Sequence, residues 1–251
     1  MEDKVSIIVP THNVSAFIQE TIDSVKAQSY TNWELIVVDD CSSDNTFDIL
    51  ERIAATDSRI IILSNEFNSG AGEARNKGIC VSKGRYIAFL DSDDLWMPDK
   101  LSKQICFMSK NNAAISHTSY SFVDESSVIR KGYVKVSKAV DLFDNLKRTE
   151  IGTSTAIIDT SIIGRNFRFS PMRARQDIKL WVELLGKGYL SHGLDEPLVK
   201  YRVRAGSVSS NKFKMLYVTF NVYVSVYQLS LPKRLYCYCC YVLNAIKKRG
   251  E

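Results

Sequence analysis

The sequence predicts an α/β fold in which a mostly parallel sheet carries helices on both faces. Three observations lead there. Over residues 5–90, strand-like and helix-like hydrophobic periods alternate, the pattern of successive βαβ units. The strand-like runs are apolar at successive positions rather than at every second one, as strands covered on both faces are. A polar cluster follows each run, and in open parallel sheets ligands bind outside the carboxyl ends of the strands.

The elements follow in order. VSIIVP (5–10) reads as a buried strand, and residues 14–29, with Phe17, Ile18, Ile22 and Val25 at helical spacing, read as a helix. Strand ELIVVD (34–39) leads to a helix over residues 45–55, introduced by Ser42, Ser43 and Asp44, which are N-capping residue types. Strand RIIILS (59–64) precedes a third helix over residues 71–81, and strand RYIAFL (85–90) ends on the acidic run of FLDSDDLW. The polar clusters are Thr11-His12-Asn13, Asp39-Asp40, Asn65 and residues 91–94. Their shared edge is the expected site. Farther on, IGTSTAIID (151–159) alternates like a strand, and residues 174–189 carry a helix with Leu180, Trp181, Leu184 and Leu185.

Composition sets the outer limits. At 251 residues, 45% hydrophobic and 24% charged, the chain can bury a full core, so disorder does not dominate. Charged Glu2, Asp3 and Lys4 run straight into the first strand, so no cleaved signal peptide is expected and the chain is read as cytosolic. Six cysteines without metal-ligand or disulfide-framework spacing fit a reducing compartment and are expected to pack rather than react. The net charge of +5 is unevenly spread: residues 197–250 hold ten Lys or Arg and no Asp or Glu, leaving 23 basic and 27 acidic residues in 1–196. A basic tail on a mildly acidic body suits nucleic acid, an anionic substrate or an anionic membrane face.

The acidic run poses an electrostatic problem. In an extended segment residues i and i+2 project together, so Asp91 and Asp93 face one way while Asp94 turns aside. Two carboxylates that close repel unless a cation or a proton lies between them. Oxygen ligands of this kind suit Mg²⁺ or Mn²⁺, and Mg²⁺ takes one or two carboxylates plus substrate phosphates. The triplet reads equally as a solvated loop whose Asp94 caps the helix after Met97-Pro98. Nearby, Gly70 and Gly72 of GAGEAR suggest a dinucleotide fingerprint, but Arg75 stands where the third glycine belongs and the element follows the third strand. An oxidoreductase is therefore not expected.

VSIIVPTHN, ELIVVDDCSSDNT, NSGAGEARNKGI and GRYIAFLDSDDLWMPDKL, in this order and spacing, resemble the family 2 glycosyltransferases of GT-A fold, of the bacterial O-antigen, capsule and lipopolysaccharide type. The resemblance is dense over the first 110 residues and sparse to about residue 210. It implies a UDP-sugar donor, a divalent metal (Mn²⁺ or Mg²⁺) and inversion at the anomeric carbon. Position by position, it puts His12 where an aromatic stacks on the uracil, with Pro10, Thr11 and Asn13 beside the nucleoside. Asp40 matches the carboxylate that accepts the uracil imide hydrogen, and Asp39 supports the loop. Arg75 faces the nucleotide or its pyrophosphate. In the acidic run Asp93 is the main metal ligand, Asp91 meets the metal or the ribose, and Ser92 and Asp94 lie near the donor. Asp177 takes the place of the general base, although Gln176 replaces a usual glutamate and Lys179 a frequent second acid. Thr153, Ser154 and Thr155 offer a hydroxyl-lined acceptor wall. Arg202 and Ser207 match residues that close over the pyrophosphate, whereas Arg204 replaces a common histidine, which removes a third metal ligand and suggests direct phosphate binding.

The expected organisation is a GT-A domain over residues 1–210, with a nucleotide half at 1–110 and an acceptor half at 111–210, and an amphipathic helical segment at 211–251. That segment combines six tyrosines with Lys233, Arg234, Lys247, Lys248 and Arg249. Its apolar run before Pro232 is too short and too interrupted to span a bilayer, and its chemistry suits a helix lying among lipid headgroups or one packed on the body. Aliphatic content argues against nucleic acid. The expected function is transfer of a hexose from a UDP-sugar to a lipid-linked or oligosaccharide acceptor, at the inner face of the bacterial cytoplasmic membrane, in O-antigen assembly. Capsule or lipopolysaccharide core are alternative acceptors, and a non-catalytic nucleotide-binding, membrane-associated scaffold is the alternative of another class.

Overall fold

The aliphatic runs of the first half form the parallel part of one sheet. In the computed structural model, which describes residues 3–204 and 212–247, β1 (Val5–Thr11), α1 (Ile18–Lys26), β2 (Trp33–Asp39), α2 (Thr46–Ala54), β3 (Ile60–Ser64), α3 (Ala71–Val81) and β4 (Tyr86–Phe89) succeed one another. β2 pairs with β1 and β3, and β1 with β4, all in parallel. Every residue of β1 and β2 is buried, which accounts for their lack of alternation. Val5, Ile7 and Val9 pack with Ile18, Ile22 and Val25 of α1 and Leu50 of α2. Ile8 takes the other face, where a Cβ on Gly78 of α3 would come within 2.7 Å of it. Glycine at that point lets α3 lie directly on the sheet.

The second half contributes β5 (Leu95–Trp96), α4 (Lys100–Asn111), β6 (Ile115–Val123), β7 (Ile129–Val134), β8 (Ala139–Val140), α5 (Leu142–Arg148), β9 (Ile157–Asp159), α6 (Thr160–Ile163), α7 (Gln176–Gly186), β10 (Ser191–Arg202), α8 (Lys212–Val224) and α9 (Leu231–Lys247). The sheet runs β3-β2-β1-β4-β9-β6-β10-β5. Short β9 lies antiparallel to both β4 and β6 and so joins the parallel half to the β6–β10 pair, itself parallel.

Residues 151–159 are not one strand. Thr153–Thr155 form a 3₁₀ turn and only Ile157–Asp159 enter the sheet. The hydroxyls cause this: Thr155 Oγ1 donates back to the Gly152 carbonyl at 2.7 Å, and Ser154 Oγ donates to Asp94 Oδ2 at 2.5 Å. Local side-chain bonds of this kind compete with ladder formation.

The C-terminal helices pack on the body. Val222, Tyr223, Val226, Cys237 and Tyr241 join the same core as Phe89, Ile158 and Trp181, Tyr223 Oη donates to the Leu146 carbonyl of α5 at 2.5 Å, and Asn244 Nδ2 to that of Lys147 at 2.9 Å. Arg234, expected among the headgroup-facing charges, turns inward to the carbonyls of Val224 and Leu229. Tyr217, Leu231, Leu235, Tyr236 and Leu243 remain exposed. No helix among the described residues is long and apolar enough to cross a membrane. The six cysteines are free thiols, but only Cys237 is buried; Cys41, Cys80, Cys106 and Cys239 are exposed, contrary to the packing expected of them.

Candidate active site

A cavity of about 530 Å³ opens where the carboxyl ends of β1, β2 and β4 face the start of α7. Of the residues singled out in the sequence, Pro10, Thr11, His12, Asp40, Arg75, Asp91, Ser92, Asp93, Asp177 and Arg204 line it. The topology explains the gathering: parallel strands end on one edge, and each polar cluster sits just past such an end.

At one end of the cavity lie His12 and Asp40. His12 Nδ1 is 2.9 Å from the Asp40 carbonyl. A carbonyl only accepts, so Nδ1 carries the proton and the ring is held in one tautomer. The buried Asp40 carboxylate accepts from Asn65 Nδ2 and the Ser69 N–H at 2.8 Å, and from the Gly70 N–H at 2.6 Å. Gly70 has φ 92°, a conformation open chiefly to glycine, and this turn aims its N–H at Asp40. Asp39 accepts from the Ser42 N–H and hydroxyl, so it supports the loop.

The acidic run occupies the middle. Arg75 Nη2 donates to Asp91 Oδ1 at 2.5 Å and Arg204 Nε to Asp93 Oδ2 at 2.8 Å. Burial, and then the charge of Asp91, push the Asp93 carboxyl above its usual range against the opposing pull of Arg204. Arg75 is 4% exposed, yet its Nε and Nη1 have no hydrogen-bond partner among the described residues. A buried guanidinium with two nitrogens unpaired is costly unless an anion completes it.

Asp177 stands in the first turn of α7, with Thr153 Oγ1 3.5 Å from its Oδ2, a contact at the outer limit of hydrogen bonding. The helix is preceded by Arg175, whose φ of 64° is left-handed, uncommon for a residue with a Cβ.

Of the expected acceptor wall only Thr153 lines the cavity, Ser154 and Thr155 being buried behind it, and Asp94, Arg202 and Asn13 do not reach it either. Asp94 is 1% exposed and binds Ser154 and the Arg202 N–H; burial, then the charges of Asp91 and Asp93, raise its carboxyl well above the usual range. It braces the loop instead of approaching a donor. Arg202 is 3% exposed and its guanidinium donates to the carbonyls of Asp93, Asp124 and Glu125, to the Ser127 hydroxyl and to Glu20. Asn13 accepts from the Ser43 N–H and its own N–H binds Ser42 Oγ, joining two loops. Ser207 lies outside the described residues.

The cavity also takes in Asn68, Arg173, Arg175, Tyr201 and Met215, which sequence reasoning passed over. The MRARQD run ahead of α7 was the available signal for the two arginines: paired cations flanking a helix start that carries a candidate base.

The family model described as Glycosyl transferase family 2 matches residues 6–168. Two relatives are similar over nearly their whole length. TuaG of Bacillus subtilis, by name a glycosyltransferase of teichuronic acid biosynthesis, is 41% identical across 98% of this chain and 97% of its own. WfaP of Escherichia coli, named as a UDP-Glc:α-D-GlcNAc-diphosphoundecaprenol β-1,3-glucosyltransferase, is 38% identical across 97% of this chain and 94% of its own. Among solved structures, S. aureus TarS 1–349 in complex with UDP-GlcNAc superposes with a TM-score of 0.74 at 20% identity, over 97% of this chain and 73% of that one, a likeness of fold.

Proposed function

This chain belongs to glycosyltransferase family 2 and has the GT-A fold, and from that premise we propose that it transfers a hexose from a UDP-sugar, with inversion, to a hydroxyl of a sugar carried on a polyprenyl diphosphate. The observation that carries the reading is the meeting of Asp91 and Asp93 with Asp177 in one cavity whose other end holds His12 and Asp40. The name of WfaP supports the donor and acceptor classes; its product is β-linked whereas UDP-glucose is α-linked, which is inversion. O-antigen or related surface polysaccharide assembly is the setting we assign.

In this reading the uracil ring stacks on His12 and its imide N–H binds Asp40, whose Oδ2 accepts a single bond among the described residues and so keeps a lone pair. Arg75 offers its unpaired Nε and Nη1 to the diphosphate. The acceptor hydroxyl attacks the anomeric carbon from the face opposite the diphosphate. A carbon–oxygen bond forms, the bond to the phosphate oxygen breaks, and Asp177 takes the hydroxyl proton.

The residues present fit a divalent cation. Asp91 and Asp93 supply hard oxygen ligands, and the burial and the Asp91 charge that together raise Asp93 are offset by positive charge between the two carboxylates. Among the described residues no group of three His, Cys, Asp or Glu could hold a metal; a cation held by Asp91 and Asp93 would draw on diphosphate and water for the rest, the habit of Mg²⁺ and Mn²⁺. When bound, the cation neutralises charge on the departing UDP.

The division into a catalytic unit at 1–210 and an acceptor-associated segment at 211–251 is part of the proposal, with the exposed Tyr217, Leu231, Leu235, Tyr236 and Leu243 resting on the inner face of the cytoplasmic membrane. A panel of UDP-hexoses and UDP-N-acetylhexosamines, assayed against a synthetic diphosphate-lipid acceptor with the product linkage read by NMR, tests the function. An α-linked product or no turnover with any UDP-sugar defeats it.

A further inference from the structure

We infer that Arg175, anchored by Tyr241 of α9, is the contact for the acceptor's diphosphate, which makes the C-terminal helix pair a part of the acceptor site. The inference rests on the proposed diphosphate-lipid acceptor. Four arginines line the cavity: Arg75, Arg173, Arg175 and Arg204. Arg75 and Arg204 are each paired with a carboxylate, and Arg173 is spent on Asn68, whose side-chain and main-chain oxygens it binds. Arg175 has no carboxylate partner among the described residues. Its Nη2 lies 2.7 Å from Tyr241 Oη and its Nε is buried without a hydrogen-bond partner among the described residues. A partly buried guanidinium held by one neutral hydroxyl is a cation waiting for an anion.

Its position selects the anion. Arg175 lies two residues before Asp177, at the start of α7. The group that takes the acceptor's proton fixes where the acceptor hydroxyl sits, and the acceptor's phosphorus is one pyranose ring from that hydroxyl. The donor diphosphate is already given Arg75, which is paired with Asp91. The left-handed backbone of Arg175 is a local cost, and it is maintained where the side chain meets α9. Tyr241 is itself fixed: it is 9% exposed and its ring centroid is 5.8 Å from that of Tyr223, which is tied to Leu146 of α5. The same helix pair exposes Tyr217, Tyr236 and Leu243.

The test compares two acceptors with the same sugar, one on a lipid diphosphate and one on a simple alkyl chain, using full-length wild type, R175Q and Y241F. Circular dichroism serves as the control for folding, and UDP affinity by calorimetry as the control for the donor site. The wild type should favour the diphosphate acceptor through KM; R175Q should lower that preference about tenfold or more, the loss expected for a charge-assisted contact, and Y241F should lower it by a smaller factor, with UDP affinity retained in both. A preference undiminished in R175Q and Y241F overturns the inference, and a loss of UDP affinity in R175Q overturns it by assigning Arg175 to the donor diphosphate. A wild type indifferent to the diphosphate strikes down the acceptor reading itself, and the inference with it.

Discussion

Asp94 Oδ2 accepts the Ser154 hydroxyl at 2.5 Å while its other oxygen accepts the Arg202 N–H at 2.9 Å. One buried carboxylate thus ties the loop between β4 and β5 to the 3₁₀ turn and to the end of β10. Ser154 Oγ accepts the Asp91 N–H in turn, so the bond reaches the neighbouring site residue. Asp94→Ala orphans a buried backbone donor and should cost about 1–3 kcal/mol or more, with activity falling as Asp91 and Asp93 lose their support. Asp94→Asn keeps an acceptor for Arg202 and can donate to Ser154, so it should lie much closer to wild type. Urea unfolding of the three proteins reads the difference; equal losses for Ala and Asn refute the bracing role.

How much of this could be read from sequence follows from what periodicity encodes. The first four strands and three helices were legible because parallel strands and their cover helices write their burial into the chain; α3 falls on residues 71–81 as expected. The 3₁₀ turn at Thr153 was not, because alternating hydroxyls look the same whether they point across a strand or fold back on their own backbone. Likewise a motif shows that Asp91, Asp93, Asp94 and Arg202 share a site, but not that two of them are buried supports; that depends on β10 pairing with β6 across some 80 residues of chain. In the tail, Tyr223 and Tyr241 are core while Tyr217 and Tyr236 are exposed, a distinction composition does not carry.

Asp93→Ala should abolish most donor turnover, by roughly 10²-fold or more, the scale on which removing stabilisation of a departing charged group acts. Circular dichroism should show the fold intact, since Asp93 makes its ion pair to Arg204 at the cavity wall. EDTA should mimic the loss in the wild type, and added Mn²⁺ or Mg²⁺ restore it. Unchanged turnover in Asp93→Ala sinks the metal assignment.

Asp177→Asn keeps the size and helix position of the side chain but removes its basicity. Loss of general-base assistance should lower kcat about 10²–10⁴-fold with UDP affinity retained, because the nucleoside end of the cavity is built by β1, β2 and α3. A fall confined to KM points instead to a binding role for Asp177.

Lys100 supplies a prediction away from the site. Its side chain is fully buried at the start of α4, where Nζ donates to Gln104 Oε1 at 2.8 Å and lies 4.1 Å from the Trp96 ring centroid. Burial pushes its pKa well below 10.5; a cation over an aromatic face regains about 2 kcal/mol when desolvated, too little against the cost of burying an unpaired ammonium. The folded lysine is therefore neutral over a pH range where the unfolded one is charged, so the unfolded state binds the extra proton. Stability then rises with pH between the lowered folded value and the unfolded one, by about 1.4 kcal/mol per pH unit for one proton, and levels off above it. Chemical unfolding of wild type and Lys100→Met as the pH is raised toward 10.5 should show the wild type gaining on the variant. A difference that stays flat means the amine remains charged in the fold.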